Sequence, residues 1–187
     1  MLVADAGQDV QHALAACARL RRETNGAFDI HAAGRLDPSA YVKGWAVQRA
    51  ADVLEGHCLR HFQINAGGDV VVRGDAGPPG EGWRIGVRHP RQSARLAAVA
   101  RLRDASIATS ARYERGDHIV APSARGSAAE AASVTVVADD LGWADGWSTA
   151  LFAAGAERLA LLESHRDIEG LLIVGDVVTL SSGFPTS

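Results

Sequence analysis

Hydrophobic and polar positions divide the chain into a helical N-terminal part, a strand-rich middle and a mixed C-terminal third. From Asp9 to Thr24 the apolar residues Val10, Leu14, Cys17 and Leu20 recur at helical spacing, and Gly26 follows as a C-terminal stop. Ala27 to His31 is a short apolar stretch of uncertain type. Gly44 to Leu54 predicts a second helix with Val47, Ala50, Ala51 and Leu54 on one face, closed by Gly56. Leu59 to Ile64 reads as a strand leading into Asn65-Ala66-Gly67-Gly68-Asp69, after which Val70 to Val72 resumes the extended run. Trp83, Ile85 and Val87 alternate with Arg84, Gly86 and Arg88, the pattern of a strand with one wet face, and Leu96, Ala98, Ala100 and Leu102 repeat it. Between these runs, Gly74 to Gly82 holds enough Gly and Pro to be a hairpin loop. Ser123 to Ala132 is unpatterned and reads as a loop. Ser133 to Val137 predicts a buried strand, Ala144 to Ala154 and Glu157 to Ser164 predict helices, and Leu171 to Val174 with Val177 to Leu180 form a closing hairpin around Gly175-Asp176. Strands and helices that segregate in this way imply an α+β domain, with a mixed, mostly antiparallel sheet flanked by helices.

Bulk properties narrow this picture. A chain of 187 residues has room for one domain with a real core, and 47% apolar against 22% charged residues is globular composition. A net charge of −3 and the absence of a Lys/Arg cluster exclude nucleic acid as an expected partner. The one basic run, Arg19-Leu20-Arg21-Arg22, reads as the polar face of a helix. Cys17 and Cys58 form no CxxC and stand in apolar surroundings, so both are expected as buried free thiols. No stretch approaches the roughly 18–20 apolar residues of a membrane span. An acid near the N-terminus, where a secretion signal needs basic residues, leads us to expect a cytoplasmic chain, with any membrane association left to its partners.

Four places carry candidate chemistry, each with an ordinary structural reading beside it. Asp37 and Lys43 stand six residues apart at the mouth of a helix, beside Gly44. A helix N-terminus favours anions and a nearby Lys strengthens a phosphate site, although Asp-Pro turns before helices are common. The paired glycines of Asn65 to Asp69 either admit a ligand close to the backbone or make a turn. Asp145 and Thr149 lie i,i+4, so two hard oxygens can aim at one Mg²⁺, unless Thr149 merely bonds its own helix. His118, ahead of Ile119-Val120-Ala121-Pro122, is either a general base titrating near neutrality or a surface residue.

In this order and spacing the pieces resemble the ApbE family of FAD:protein FMN transferases. The resemblance runs from about Leu2 to Leu180 and is carried by Gly26 to Asp29, Asp37 to Ala46, Ile64 to Asp69, Ala108-Thr109-Ser110 with Tyr113, His118 to Val120, Ser133 to Val137, and Ala144 to Leu151. It implies that Ala27, Phe28 and Asp29 contact FAD, that Asp37 and Lys43 bind it, and that Val120 touches the flavin. It also implies that the carbonyl of Ala40 joins Asp145 and Thr149 as Mg²⁺ ligands. The implied activity is Mg²⁺-dependent transfer of FMN from FAD to a Thr or Ser of a client flavoprotein, releasing AMP, with His118 best placed as the base.

Two departures qualify this reading. Where the family writes His-Ile-Ile-Asp-Pro-x-Thr-Gly, this chain has Ala121 for the Asp and an altered turn from Ser123 to Gly126. Residues 1–187 are also expected to form an ApbE-like domain without the family's N-terminal segment. The alternatives are hydrolysis of FAD to FMN and AMP, or a degenerate protein that binds FAD without turnover.

Overall fold

A computed structural model describes residues 7–111, 131–154, 158–175 and 177–186. Three layers are stacked. The middle layer is a six-stranded sheet in the order β1 (Phe62–Ala66), β2 (Asp69–Arg73), β5 (Ala105–Ala111), β6 (Ala131–Ala138), β7 (Glu169–Val174) and β8 (Val177–Leu180). Every neighbouring pair in it is antiparallel.

Side-chain alternation along these strands feeds two separate cores. Val71, Ala108, Val134, Val136 and Leu172 point to one face, where α1 (Gln8–Glu23), α2 (Ser39–Gly56) and α3 (Leu141–Ala153) pack on them. Val70, Val72, Ile107, Leu171 and Ile173 point to the other, under a hairpin of β3 (Trp83–His89) and β4 (Gln92–Leu102). The expected α+β class with an antiparallel sheet is therefore what forms. Helices cover one face, and the second face is covered by strands.

α3 is the centre of the helical layer. Its composition is apolar or small at nearly every position, and Leu141, Gly142, Ala144 to Ser148 and Ala150 to Ala153 are all buried. Such a helix cannot stand at a surface; it is enclosed by the sheet on one side and α1 and α2 on the other. Asp140 caps it, its carboxylate accepting the Trp143 N–H at 2.7 Å. Gln48 of α2 adds a second tie by accepting the Leu141 N–H through Oε1 at 3.2 Å. The short helix α4 (Arg158–Glu163) follows and leads into β7.

α2 begins at Ser39, one turn earlier than the apolar periodicity predicts. Asp37 accounts for the early start: its Oδ1 accepts the Ser39 N–H at 3.2 Å and satisfies a donor the helix would otherwise leave open. Lys43 consequently stands in the second turn rather than at the helix mouth. The Asn65–Asp69 stretch is a two-residue hairpin turn, with Gly67 at φ 63° and Gly68 at φ 98°, the left-handed pair that such a turn requires. One further expectation is corrected. Cys58 is exposed, in the connection after α2, whereas Cys17 is buried as expected. Val10 is 49% exposed, because α1 rests on the core through Ala13, Cys17 and Leu20.

Candidate functional site

Three elements aim polar side chains at one spot on the helical face of the sheet. Lys43 reaches over from α2, Asp69 opens β2 directly after the glycine turn, and Asp145 projects from α3. The Lys43 ammonium is ion-paired with Asp69 Oδ2 and stands 3.8 Å from Asp145 Oδ2. Both carboxylates are buried, their side chains 2% and 0% exposed, while that of Lys43 keeps 42%. Buried carboxylates demand counter-charge, and the Lys43 ammonium faces both of these.

Hydroxyls line the spot's flank. One turn beyond Asp145, Thr149 Oγ1 lies 3.3 Å from Ser110 Oγ of β5, which also meets Ser148 Oγ at 2.9 Å. Ser148 in turn donates to the Asp145 carbonyl at 2.9 Å. Thr149 thus contacts the neighbouring strand. Asp69 is held from behind as well: its Oδ1 accepts the Thr109 N–H at 3.2 Å.

The close approach of α2 and α3 makes this convergence feasible. Gly44 faces the backbone of Leu141 and Gly142, where a side chain at 44 would overlap the Leu141 carbonyl. Ala40, one turn before Gly44 in α2, is partly buried against the same core. Tyr41 on this face is no base: burial first, then the nearby Asp140, pushes its phenol up to about 12. It stays protonated and pairs with His12 Nε2 at 3.2 Å.

Chemically, a buried carboxylate and a positioned hydroxyl at i,i+4, beside an ammonium, suit a hard divalent cation that shares its coordination with phosphate oxygens. Among the described residues no three His, Cys, Asp or Glu gather into a group that could hold a metal ion by themselves.

Of the residues that the sequence singles out, Lys43 and Asp145 stand 3.8 Å apart, and Thr149 meets Ser110 one turn further along α3. Phe28 lies in the core and its N–H donates to Thr24 Oγ1 at 3.0 Å. Asp29 accepts from the His31 N–H and faces Arg21 at 3.5 Å. Asp37 serves Ser39 and Arg35. With Ala27, these residues form the α1–α2 connection. His118, Val120, Ala121 and the Ser123–Gly126 turn lie outside the described residues. Sequence reasoning gave no role to Asp69, Ser110 or Ser148. All three stand in motifs it singled out: Asp69 ends Asn-Ala-Gly-Gly-Asp, Ser110 ends Ala-Thr-Ser, and Ser148 lies within Ala144 to Leu151.

Fold and site together define an α+β domain that presents an ammonium, two buried carboxylates and oriented hydroxyls at the edge of its helical layer. This chain belongs to the ApbE family, whose model matches residues 30–172. It is 31% identical over 150 residues to an FAD:protein FMN transferase of Rhodobacter capsulatus, covering 76% of this chain and 28% of that protein. It is 30% identical over 149 residues to that of Vibrio cholerae and 32% identical over 149 residues to one of Klebsiella pneumoniae. Those two matches cover 74% of this chain and 44% and 45% of the relatives, so the chain spans less than half the length of the curated proteins it matches. Solved structures share the fold. The flavin transferase ApbE of Vibrio cholerae superposes with a TM-score of 0.83 at 23% identity, over 97% of this chain and 78% of that one. An ApbE protein of Thermotoga maritima gives 0.84 at 22% identity, over 97% and 79%.

Proposed function

We propose that this domain transfers FMN from FAD to a Thr or Ser hydroxyl of a client flavoprotein, releasing AMP, with Mg²⁺ held by Asp145, Thr149 and the Ala40 carbonyl. The observation that carries the reading is the meeting of Lys43, Asp145 and Thr149 from α2 and α3. In a family whose curated relatives are named for this reaction, these are the groups a pyrophosphate substrate needs.

In the reaction, the acceptor oxygen bonds to the phosphorus on the FMN side of the FAD pyrophosphate. The bond from that phosphorus to the bridging oxygen breaks, and AMP leaves with the electron pair. Phosphoryl transfer of this kind rests on positioning and on neutralising charge at the phosphate oxygens. Lys43, on an exposed stem, supplies a mobile cation for those oxygens. Asp145 and Thr149, fixed in a buried helix, supply oxygens for the metal. Bound Mg²⁺ would withdraw charge from the phosphates during attack. We assign removal of the hydroxyl proton to His118, and flavin and adenine contacts to Ala27, Phe28, Asp29, Asp37 and Val120, on family resemblance. The ring of Phe28 belongs to the core, so any contact it makes is through its backbone.

A second reading, hydrolysis of FAD to FMN and AMP, is favoured by the 42% exposure of Lys43, which leaves the phosphate side of the site open to water.

The test incubates the protein with FAD, Mg²⁺ and a client bearing an acceptor Thr, and reads in-gel flavin fluorescence together with AMP. Fluorescent client and AMP in equal amounts support transfer. AMP without labelled client supports hydrolysis, and neither product overturns both readings.

A further inference from the structure

The hairpin of β3 and β4 carries a charge pattern that the phosphate chemistry does not use. From Trp83 to Leu102 it holds Arg84, Arg88, Arg91, Arg95 and Arg101 and no Asp or Glu, in a chain of net charge −3. At strand spacing these residues form no run, so the basic surface emerges only when the hairpin folds. Arg84 and Arg101 stand directly opposite each other across the two strands. Like charges so placed destabilise a sheet. Among the described residues no carboxylate forms an ion pair with either of them or with Arg88.

A cleft of about 410 Å³ opens beside the same strand. Arg84 and Arg88 line one wall, and Gln63, Asn65, Thr109 and the Gly67–Gly68 turn line the other, with no carboxylate among the described lining residues. In its sheet β3 pairs only with β4, so its second edge has no strand partner among the described residues. Near its start the Trp83 indole N–H donates to the Arg73 carbonyl at 3.0 Å and ties the hairpin to β2. Beyond that tie the edge is free, and a free strand edge beside a cleft accepts an extended segment through main-chain hydrogen bonds.

We propose that this cleft docks the client protein: an extended, acidic segment of the client lies along β3, and Arg84 and Arg88 hold its carboxylates. The inference rests on the reading of the chain as a flavin transferase with a protein acceptor, and adds the place and the charge of that acceptor. The cleft adjoins the Lys43 site through shared residues. Gly67 and Gly68 line it, and the next residue is Asp69, the ion-pair partner of Lys43. Thr109 lines it too, while the Thr109 N–H donates to Asp69 Oδ1 at 3.2 Å. A segment seated in the cleft therefore ends beside the turn that leads to Lys43, where an acceptor hydroxyl is wanted. The amides of Gln63 and Asn65 offer hydrogen bonds to a polypeptide, and the negative net charge of the chain disfavours nucleic acid.

The test titrates the full chain against a fluorescein-labelled peptide of alternating Glu and Ser, read by fluorescence polarisation. Binding is expected that weakens as salt rises, with none to the same peptide carrying Lys in place of Glu. Arg84→Gln combined with Arg88→Gln is expected to weaken it about tenfold, the scale of two partly exposed charge pairs. The pair should melt no lower than the unchanged chain, because it relieves the opposition of Arg84 and Arg101. Arg22→Gln combined with Arg49→Gln removes the same charge from exposed positions on α1 and α2 and is expected to change nothing. Equal losses from both pairs, or an unchanged chain that ignores the acidic peptide, overturn the proposal. So does displacement of the peptide by single-stranded DNA or inorganic phosphate at equal concentration, which would assign the cleft to those anions. The flavin-transfer assay separates the two levels. With a client that the unchanged chain labels, the Arg84 and Arg88 pair is expected to raise the KM for client about tenfold and to leave kcat and FAD affinity as they were. An unchanged KM overturns the docking site alone. If no client is labelled, yet the acidic peptide binds through Arg84 and Arg88, the transfer reading falls and the cleft remains a site for an acidic segment.

Discussion

Gly44 of α2 lies directly against the Leu141 peptide of α3, with no room for a β-carbon between the two backbones. The contact holds together the helices that carry Lys43 and Asp145. Because the obstacle is a carbonyl and not the end of a flexible side chain, Gly44→Ala must push the helices apart. Overpacking of this kind usually costs about 1–3 kcal/mol. A urea melt is expected to show a lower midpoint with an unchanged slope. FAD binding should weaken further than the stability loss alone explains, and a variant as stable as the parent would show that the helices slide without cost.

Asp145→Asn keeps the shape of the buried side chain and removes its charge. Loss of one preorganised charge contact in a transition state typically costs about 2–4 kcal/mol, roughly a 30- to 1,000-fold fall in rate. Under the proposed function, FMN transfer should fall by that amount. Folding should survive, because the Lys43–Asp69 pair is left intact. Unchanged turnover with Mg²⁺ present would remove Asp145 from the metal site.

Lys43→Ala is expected to weaken FAD binding far more than it destabilises the fold. The side chain is 42% exposed on a helix that tolerates alanine, so little packing is lost. Fluorescence titration of FAD beside a thermal melt checks this. A variant that unfolds, yet binds FAD normally when folded, would make Lys43 structural. One consequence for stability is that the buried Asp69 loses its ion-paired cation, so the melt is expected to shift downward.

Alkaline stability should be limited by two buried acids in the helical layer. Burial raises the Cys17 thiol from 9.0 to about 11 and the Tyr41 phenol from 10.0 to about 12, Asp140 and then Cys17 adding to the latter. Each folded value exceeds the unfolded one, so the folded state retains protons that the unfolded chain releases. Their contribution is complete below pH 9 and declines as pH rises from about 9 to 11 for Cys17 and from about 10 to 12 for Tyr41. Urea midpoints across this range should fall. Tyr41→Phe should flatten the upper part of the decline, and an unchanged slope in that variant would show that other groups drive it.

Much of this domain was legible in its sequence. Period-2 alternation located β3 and β4, apolar spacing located α1, and the helix expected from Ala144 to Ala154 forms from Leu141 to Ala153. Local pattern suffices for such features, because the period of an element is set by its own backbone geometry. The sequence also carried the ApbE resemblance, in short motifs spread along the chain. It misplaced the start of α2, whose first turn, Ser39 to Val42, follows the Asp37–Ser39 hydrogen bond and packs Tyr41 into the core.

Only tertiary structure decided which residues meet. Residues 43, 69, 110 and 145 are brought together by the strand order β1-β2-β5-β6 and by the Gly44 crossing, and neither leaves a periodic trace. An Asp after two glycines looks like the end of a turn. It becomes the anchor of Lys43 because the turn ends on the helical face of the sheet, within reach of α2. Ser110 and Ser148 look like ordinary small polar residues until β5 and α3 set their hydroxyls 2.9 Å apart. The physical reason is that side-chain periodicity determines which face of an element is buried. Which partner covers that face depends on long-range packing, where gaps of tens of residues close at once.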